Sequence, residues 1–138
     1  MSQPILDLKN LSVMYSGIKV VSNVSFTIFK GETFAVVGES GCGKTTIANS
    51  VLRVLPPDGV IDQNSKILYY RDLSRFLDVV KLSESDMTKY IRWKEISMVP
   101  QSALNALNPT IKVKDHFIET GKAHDLGDKG EVLGRARV

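Results

Sequence analysis

A nine-residue stretch, GESGCGKTT, combines glycines with a lysine and hydroxyl side chains. Gly38, Gly43, Lys44 and Thr45 match the pattern G-x-x-x-x-G-K-[ST]. Glycines let the backbone curl so that several N–H groups point inward at phosphate oxygens, and a helix that follows adds its positive N-terminal end. The stretch therefore predicts a loop that holds the phosphates of a nucleotide.

Two side chains of this loop have distinct predicted roles. Lys44 brings a positive charge to the β- and γ-phosphates, and Thr45 offers a hydroxyl ligand to Mg²⁺. Cys42, the single cysteine, is interpreted as filling a variable position, and a redox role is the alternative. The predicted nucleotide-binding residues of the stretch are Gly38, Glu39, Ser40, Gly41, Cys42, Gly43, Lys44, Thr45 and Thr46.

A strand and a helix must position this loop. The apolar run TFAVVG at 33–38 predicts a strand that is buried on both faces. Behind the loop, apolar residues recur at helical spacing from about Lys44 to Leu55, and two prolines follow. Ahead of it, ILDLKNLSVMY (5–15) and KVVSNVSFTIF (19–29) predict two strands joined by a turn at Ser16-Gly17.

The remaining segments predict a mixture of strands and helices. SESDMTKYIRW (83–93) predicts a helix with Ser83 or Ser85 as N-cap and acidic residues in its first turn. LSRFLDVVKL (73–82) fits either a helix or a strand. The other expectations are a polar loop at 58–66, a strand at 66–70, a buried strand EISMVPQ at 95–101, a turn at Asn108-Pro109, a helix at 112–124, a linker at 125–130 and a helical start at 131–138.

Composition excludes several classes of protein. Of 138 residues, 43% are hydrophobic and 24% charged, which is typical of a globular domain. The net charge of +3 comes without a dense Lys/Arg block, so no nucleic-acid partner is expected. The start, MSQPILDLKN, lacks a basic flank followed by an apolar block, so it is not expected to be a secretory signal, and no apolar run approaches the roughly 18 residues of a membrane span. A single cysteine suits a reducing compartment, and His116 and His124 lack metal-ligand partners at useful spacing.

Three segments together resemble an ABC-transporter ATPase, and more narrowly the nucleotide-binding subunits of the oligopeptide/dipeptide importers. They are LSVMYSG, VVSNVSFTIFKGETFAVVGESGCGKTT and ISMVPQSALNALNP. The resemblance runs from about Ile5 to the end and is weakest after about residue 118. It implies an α/β fold: part of a P-loop NTPase core of ABC type, with an N-terminal antiparallel β-subdomain.

The resemblance assigns further site residues. In the family an aromatic residue at the end of the first strand stacks on adenine, and Tyr15 is the match. Gln101 matches the glutamine of the Q-loop, whose side chain reaches Mg²⁺ or the attacking water and whose loop contacts the membrane-spanning subunit. The implied metal ligands are therefore Thr45 and Gln101. Ser102 replaces an acidic residue common in the family, which puts fine contacts with the permease in doubt, and LNALNP (Leu104 to Pro109) resembles a segment of the peptide importers.

Other family motifs are missing from 1–138: the signature loop LSGGQ, the apolar run that ends in Asp and then Glu, and the switch histidine. The expectation is an N-terminal portion of an ABC ATPase domain that cannot hydrolyse ATP alone, within a longer ATPase. TFAVV would then lack its usual partner strands. The resemblance implies ATP and Mg²⁺, a second ATPase subunit (identical or different), a permease, an external solute-binding protein acting indirectly, and a location on the cytoplasmic face of the membrane.

Two alternatives remain open at this point. One is a non-transport ABC ATPase of the DNA-repair or chromosome-maintenance type, in which a coiled coil often follows the glutamine. The other is a non-catalytic fragment that docks on a partner. The transported solute is not specified by these residues; the resemblance suggests short peptides, whereas related systems carry sugars or nickel.

Overall fold

Residues 3–101 and 107–136 are described by the computed structural model, and they fall into two compact units that divide after Glu95. The first unit contains five strands and the phosphate loop. Among its described residues, the second unit contains two helices. Of the LNALNP segment, Leu107 to Pro109 are described, whereas Ser102 lies outside the described residues.

The first unit is built on one antiparallel sheet. Its central strand pairs with the second strand on one edge and with the third and fourth on the other, and the fifth pairs with the fourth. The predicted hairpin and its turn at Ser16-Gly17 are confirmed. The strands are β1 (Pro4–Tyr15), β2 (Ile18–Phe29), β3 (Gly59–Ile61), β4 (Lys66–Asp72) and β5 (Arg75–Asp78).

The prediction of a polar loop at 58–66 is wrong for its first part. β3 lies there, with Val60 opposite Met14 on β1. The segment was predicted as polar because Asp and Asn residues flank its apolar centre. Three residues are nevertheless enough to form hydrogen bonds with the free backbone N–H and C=O groups at the end of β1. This pairing brings Gly59 next to Tyr15.

Helix α1 (Lys44–Leu52) follows the phosphate loop as predicted, but it ends three residues earlier than Leu55. Arg53 takes the left-handed conformation, with φ +52°, and its N–H donates to the carbonyl oxygens of Asn49 and Ser50. A left-handed residue ends a helix in this way before any proline is reached.

Neither apolar run that was predicted as a buried strand is a strand. Residues 32–39 and 97–100 have no regular structure, and Val37 and Val99 are 88% and 89% exposed. Phe34 is less exposed (42%), because its ring stacks on Phe26 of β2 with centroids 4.7 Å apart. Apolar composition favours a strand only where a neighbouring strand offers hydrogen bonds, and none of the described strands pairs with these runs.

A helical segment after β5 completes the core of the first unit. A 3₁₀ turn (Val79–Lys81), the short helix α2 (Glu84–Asp86) and a π-helical turn (Met87–Ile91) succeed one another. The Ser83 hydroxyl accepts the Asp86 N–H at 3.1 Å, so Ser83 is the predicted N-cap. The ambiguous run 73–82 is therefore β5 followed by the 3₁₀ turn. The fully buried apolar side chains are Leu8, Leu11, Val13, Ile67, Val79, Met87 and Ile91.

The second unit pairs α3 (Val113–Ala123) with α4 (Lys129–Arg135). The helix predicted at 112–124 is confirmed, whereas α4 begins two residues earlier than predicted, inside the segment 125–130 that was predicted as a linker. Asn108 forms the predicted turn, and its Oδ1 accepts from the N–H and hydroxyl of Thr110. A capping box of Asp128 and Glu131 opens α4. None of the described helices is long and apolar enough to cross a membrane.

Candidate nucleotide-binding site

The glycines of the loop are required by backbone conformation. Gly41 and Gly43 have φ values of +82° and +93°, in the left-handed region that other residues rarely adopt. At Gly43 space is also restricted, because a Cβ there would lie 3.2 Å from both the Val20 carbonyl oxygen and Val21 Cγ2 of β2. The loop therefore rests directly on β2.

The N-terminal end of α1 is open to an anion. Gly43 is the N-cap and has no side chain, so no side-chain hydrogen bond satisfies the first N–H groups. No acidic residue lies in the first turn of α1. Unsatisfied N–H groups and the helix dipole both favour negative charge at such an end.

The side chain of Lys44, the first residue of α1, turns back to the loop. Its Nζ donates to the carbonyl oxygens of Gly38 at 2.8 Å and Glu39 at 2.5 Å, and it contacts Cys42 Sγ at 3.5 Å. The two backbone carbonyls carry no full charge, and none of the ion pairs found among the described residues includes Lys44. A phosphate oxygen would be a stronger acceptor for this ammonium group than a neutral carbonyl.

Tyr15 lies beside the first turn of α1. Its hydroxyl donates to Thr46 Oγ1 at 3.3 Å, and Thr46 is buried while its carbonyl accepts the Ser50 hydroxyl at 2.7 Å. Tyr15 Cε1 would lie 2.7 Å from a Cβ on Gly59, so β3 closes on the ring from another side. The structure thus brings Tyr15 and the phosphate loop together, whereas stacking of its ring on adenine stays a prediction.

Oxygen donors are available for a metal at the same end of α1. Thr45, unlike Thr46, is exposed, so its hydroxyl is accessible. Across residues 3–101 and 107–136, no group of three or more His, Cys, Asp and Glu could hold a metal ion. Mg²⁺ commonly takes few protein ligands and binds largely through substrate phosphates and water, so Thr45 fits it.

Gln101 lies in the second unit, on an exposed turn. Its assignment to Mg²⁺ or the attacking water stays a prediction. Sequence reasoning missed Val20, Val21 and Gly59 as neighbours of the site. Their residue types carry no signal for this role, because the pairing of β1 with β2 and β3 places them.

Comparison with known proteins agrees with the motifs. Residues 21–136 match the family model described as ABC transporter. The dipeptide transport ATP-binding protein DppD of Caldanaerobacter subterraneus subsp. tengcongensis is 40% identical over 121 residues, covering 87% of this chain and 35% of that protein. DppD of Bacillus subtilis is 40% identical over 126 residues, covering 88% and 36%.

A third relative is the glutathione import ATP-binding protein GsiA of Shigella dysenteriae serotype 1. It is 32% identical over 139 residues, covering 96% of this chain and 22% of that protein. The chain thus spans about a third of each DppD and about a fifth of GsiA. The family model extends over most of the chain and includes the whole phosphate loop, which confirms the resemblance: this chain belongs to the ABC transporter family.

Proposed function

We propose that this chain is the ATP-binding part of an importer ATPase that couples ATP hydrolysis to the uptake of short peptides. The observation that carries the proposal is the Lys44 ammonium group, hydrogen-bonded to carbonyls of a glycine loop that leads into the uncapped N-terminal end of α1. Relatives named for dipeptide transport and glutathione import support the importer and its peptide class. These relatives favour an importer ATPase over a non-transport ABC ATPase of the DNA-repair type and over a non-catalytic fragment that docks on a partner.

The chain's own residues would bind and orient the nucleotide. Lys44 would exchange its carbonyl acceptors for β- and γ-phosphate oxygens, and the N–H groups of the loop would donate to the remaining oxygens. Tyr15 would present its ring to adenine from the end of β1. Thr45 would hold Mg²⁺, which when bound offsets the charge that develops on the transferred phosphoryl group.

Hydrolysis would need residues that 1–138 does not contain. Gln101 would orient the attacking water through its side-chain oxygen, which can bind without adding charge. No signature loop and no Asp-Glu pair after an apolar run occurs in 1–138. We therefore expect the 138 residues alone to bind ATP weakly and to hydrolyse it negligibly, while the complete gene product is an ATPase.

The partners follow from the same proposal. A second ATPase subunit, identical or different, would complete the nucleotide-binding site. A permease would receive the conformational change of the ATPase subunits through the region of Gln101. An external solute-binding protein would deliver the peptide to that permease. The chain would then work as a peripheral protein on the cytoplasmic face of the membrane.

The first test is stabilisation of the complete gene product by Mg-ATP. A ligand at 100 times its Kd stabilises the folded state by about 2.7 kcal/mol, so the melting temperature should rise by a few degrees. Lys44→Ala should abolish most of the rise. Lys30→Ala is the matched control, because Lys30 is exposed and follows the end of β2 that lies farthest from Val20 and Val21. An equal rise in all three proteins would contradict the proposal.

A further inference from the structure

Gly59, the first residue of β3, lies directly opposite Tyr15 in the pairing of β3 with β1. A Cβ at Gly59 would lie 2.7 Å from Tyr15 Cε1. It would also lie 2.8 Å from Leu55 Cβ and 3.0 Å from the Pro56 carbonyl oxygen. Carbon atoms in good contact are about 3.5–4.0 Å apart, so this position has no room for a side chain.

Space, and not backbone conformation, requires the glycine. Gly59 is not among the residues with positive φ, so alanine could adopt its backbone conformation. Its N–H donates to the Pro56 carbonyl oxygen at 2.8 Å, which closes the turn 56–59. Of the three atoms that crowd the position, only Tyr15 Cε1 can move by rotation of side-chain torsions alone. An added Cβ would therefore displace the ring of Tyr15.

The ring that would be displaced is held beside the phosphate loop. The hydroxyl of Tyr15 donates to Oγ1 of Thr46, which is the third residue of α1 and is 7% exposed. At the next residue, the hydroxyl of Ser16 donates to Asp58 Oδ2 at 2.8 Å, which ties the start of β3 to the end of β1. A nucleotide joins its base to its phosphates through one sugar, so a ring beside the first turn of α1 can reach the base.

We propose that Gly59 is a positioning residue for the nucleobase: its bare backbone lets the ring of Tyr15 lie where it can stack on the adenine of a nucleotide held by Lys44. The proposal rests on the proposed function, in which Lys44 binds the phosphates and Tyr15 stacks on adenine. It assigns Gly59 to affinity for the base and not for the phosphates. The three atoms nearest to a Cβ at Gly59 all lie outside the phosphate loop.

The test separates the two parts of the ligand in the complete gene product. Mg-ATP carries base and phosphates, whereas inorganic tripolyphosphate with Mg²⁺ carries phosphates alone. Loss of one stacked base weakens binding roughly five- to 150-fold. Gly59→Ala should therefore raise the Kd for Mg-ATP about tenfold and the Kd for tripolyphosphate less than about twofold, as measured by calorimetry. Val60→Ala is the matched control: Val60 follows Gly59 on β3 and is 54% exposed, so neither Kd should change.

A double variant shows whether Gly59 acts through Tyr15. Tyr15→Ala removes the ring, so it should raise the Kd for Mg-ATP at least as much as Gly59→Ala does. Adding Gly59→Ala to Tyr15→Ala should then raise that Kd further by less than about twofold, because the effects of two residues in contact are not additive. A merely structural role of Gly59 would give two factors that multiply.

Three results would overturn the proposal: wild-type affinity for Mg-ATP in Gly59→Ala, an equal loss of affinity for Mg-ATP and tripolyphosphate, or factors that multiply in the double variant. If Gly59→Ala does not fold, Tyr15→Ala should restore folding in the double variant, since the added Cβ then meets no ring. Failure to restore it would assign the crowding to Leu55 and Pro56 and would also overturn the proposal. Wild-type protein that binds neither Mg-ATP nor tripolyphosphate would instead refute the proposed function itself.

Discussion

At the scale of single residues, the contact between Tyr69 and Glu95 makes stability depend on pH. Burial first, and then the hydrogen bond to the Glu95 carboxylate, raise the pKa of Tyr69 to about 12 from 10.0. Because the folded-state pKa exceeds the unfolded one, the neutral hydroxyl contributes stability in full below pH 10. That contribution is lost as pH rises through about 12.

Tyr69→Phe should therefore flatten the fall in the free energy of unfolding between pH 10 and 12, and it should lower stability at pH 8 by about 1 kcal/mol through loss of the hydrogen bond. Urea unfolding at a series of pH values measures both effects. Tyr70→Phe, the neighbouring position on β4, is the control and should keep the steep fall. An identical pH profile in wild type and Tyr69→Phe would refute this role of the hydroxyl.

Single residues also differ in how well their roles could be predicted. Gly43, Lys44 and Thr45 are adjacent, so a local pattern with a known backbone geometry identifies them before any fold is considered. Glu84 was predicted only as an acidic residue in the first turn of a helix, and it is one, but it also pairs with Arg53 and Arg92. Those contacts span eight to 31 positions in sequence and depend on how the 79–92 segment folds back on α1.

At the scale of elements, two glycines in the helices of the second unit should respond oppositely to alanine. Gly134 lies exposed in α4, and a Cβ there meets nothing within 4 Å. Gly121 lies buried in α3, and a Cβ there would come within 2.4 Å of Val132 Cγ2 on α4. Gly134→Ala should stabilise this unit by about 0.5 kcal/mol, and Gly121→Ala should destabilise it by about 1–3 kcal/mol.

Amide hydrogen exchange of α3 and α4 separates these effects from unfolding of the first unit. Protection should rise in Gly134→Ala and fall in Gly121→Ala. The two variants control for each other, because both replace a helical glycine by the same residue. Equal changes in protection would show that helix propensity alone determines the effect of alanine on stability, and that α3 and α4 do not pack through Gly121.

An element could be predicted from the sequence where the residues that determine it lie within a short window. The hairpin of β1 and β2 and the helices α1, α3 and α4 form within short windows, so periodicity, turns and caps specify them. TFAVVG and EISMVPQ were predicted as strands from apolar composition, but a strand also needs a partner, which a local pattern does not contain. β3 shows the converse: a short, mixed segment becomes a strand because β1 offers it an open edge.

At the scale of the whole molecule, the exposed apolar side chains predict how the 138 residues behave alone. Phe34, Val36 and Val37 lie together in the run before the phosphate loop, with exposed fractions of 42%, 43% and 88%. A contiguous apolar segment that pairs with none of the described strands favours pairing with another chain. We expect purified 1–138 to self-associate at micromolar concentrations, as measured by light scattering across a dilution series.

Val37→Lys in isolated 1–138 tests whether this run causes the self-association. The same variant in the complete gene product tests whether the run is a buried strand there. In isolated 1–138 the added charge should increase the monomeric fraction, because it interrupts a short apolar segment. In the complete protein the same variant should lower stability by more than about 2 kcal/mol if TFAVV is a buried strand there, since a charge would then lose its hydration. Leu73→Lys is the control: Leu73 is also exposed (74%) and lies beside β5, so this variant should be neutral in both proteins. Tolerance of Val37→Lys in the complete protein would show that the run stays on the surface.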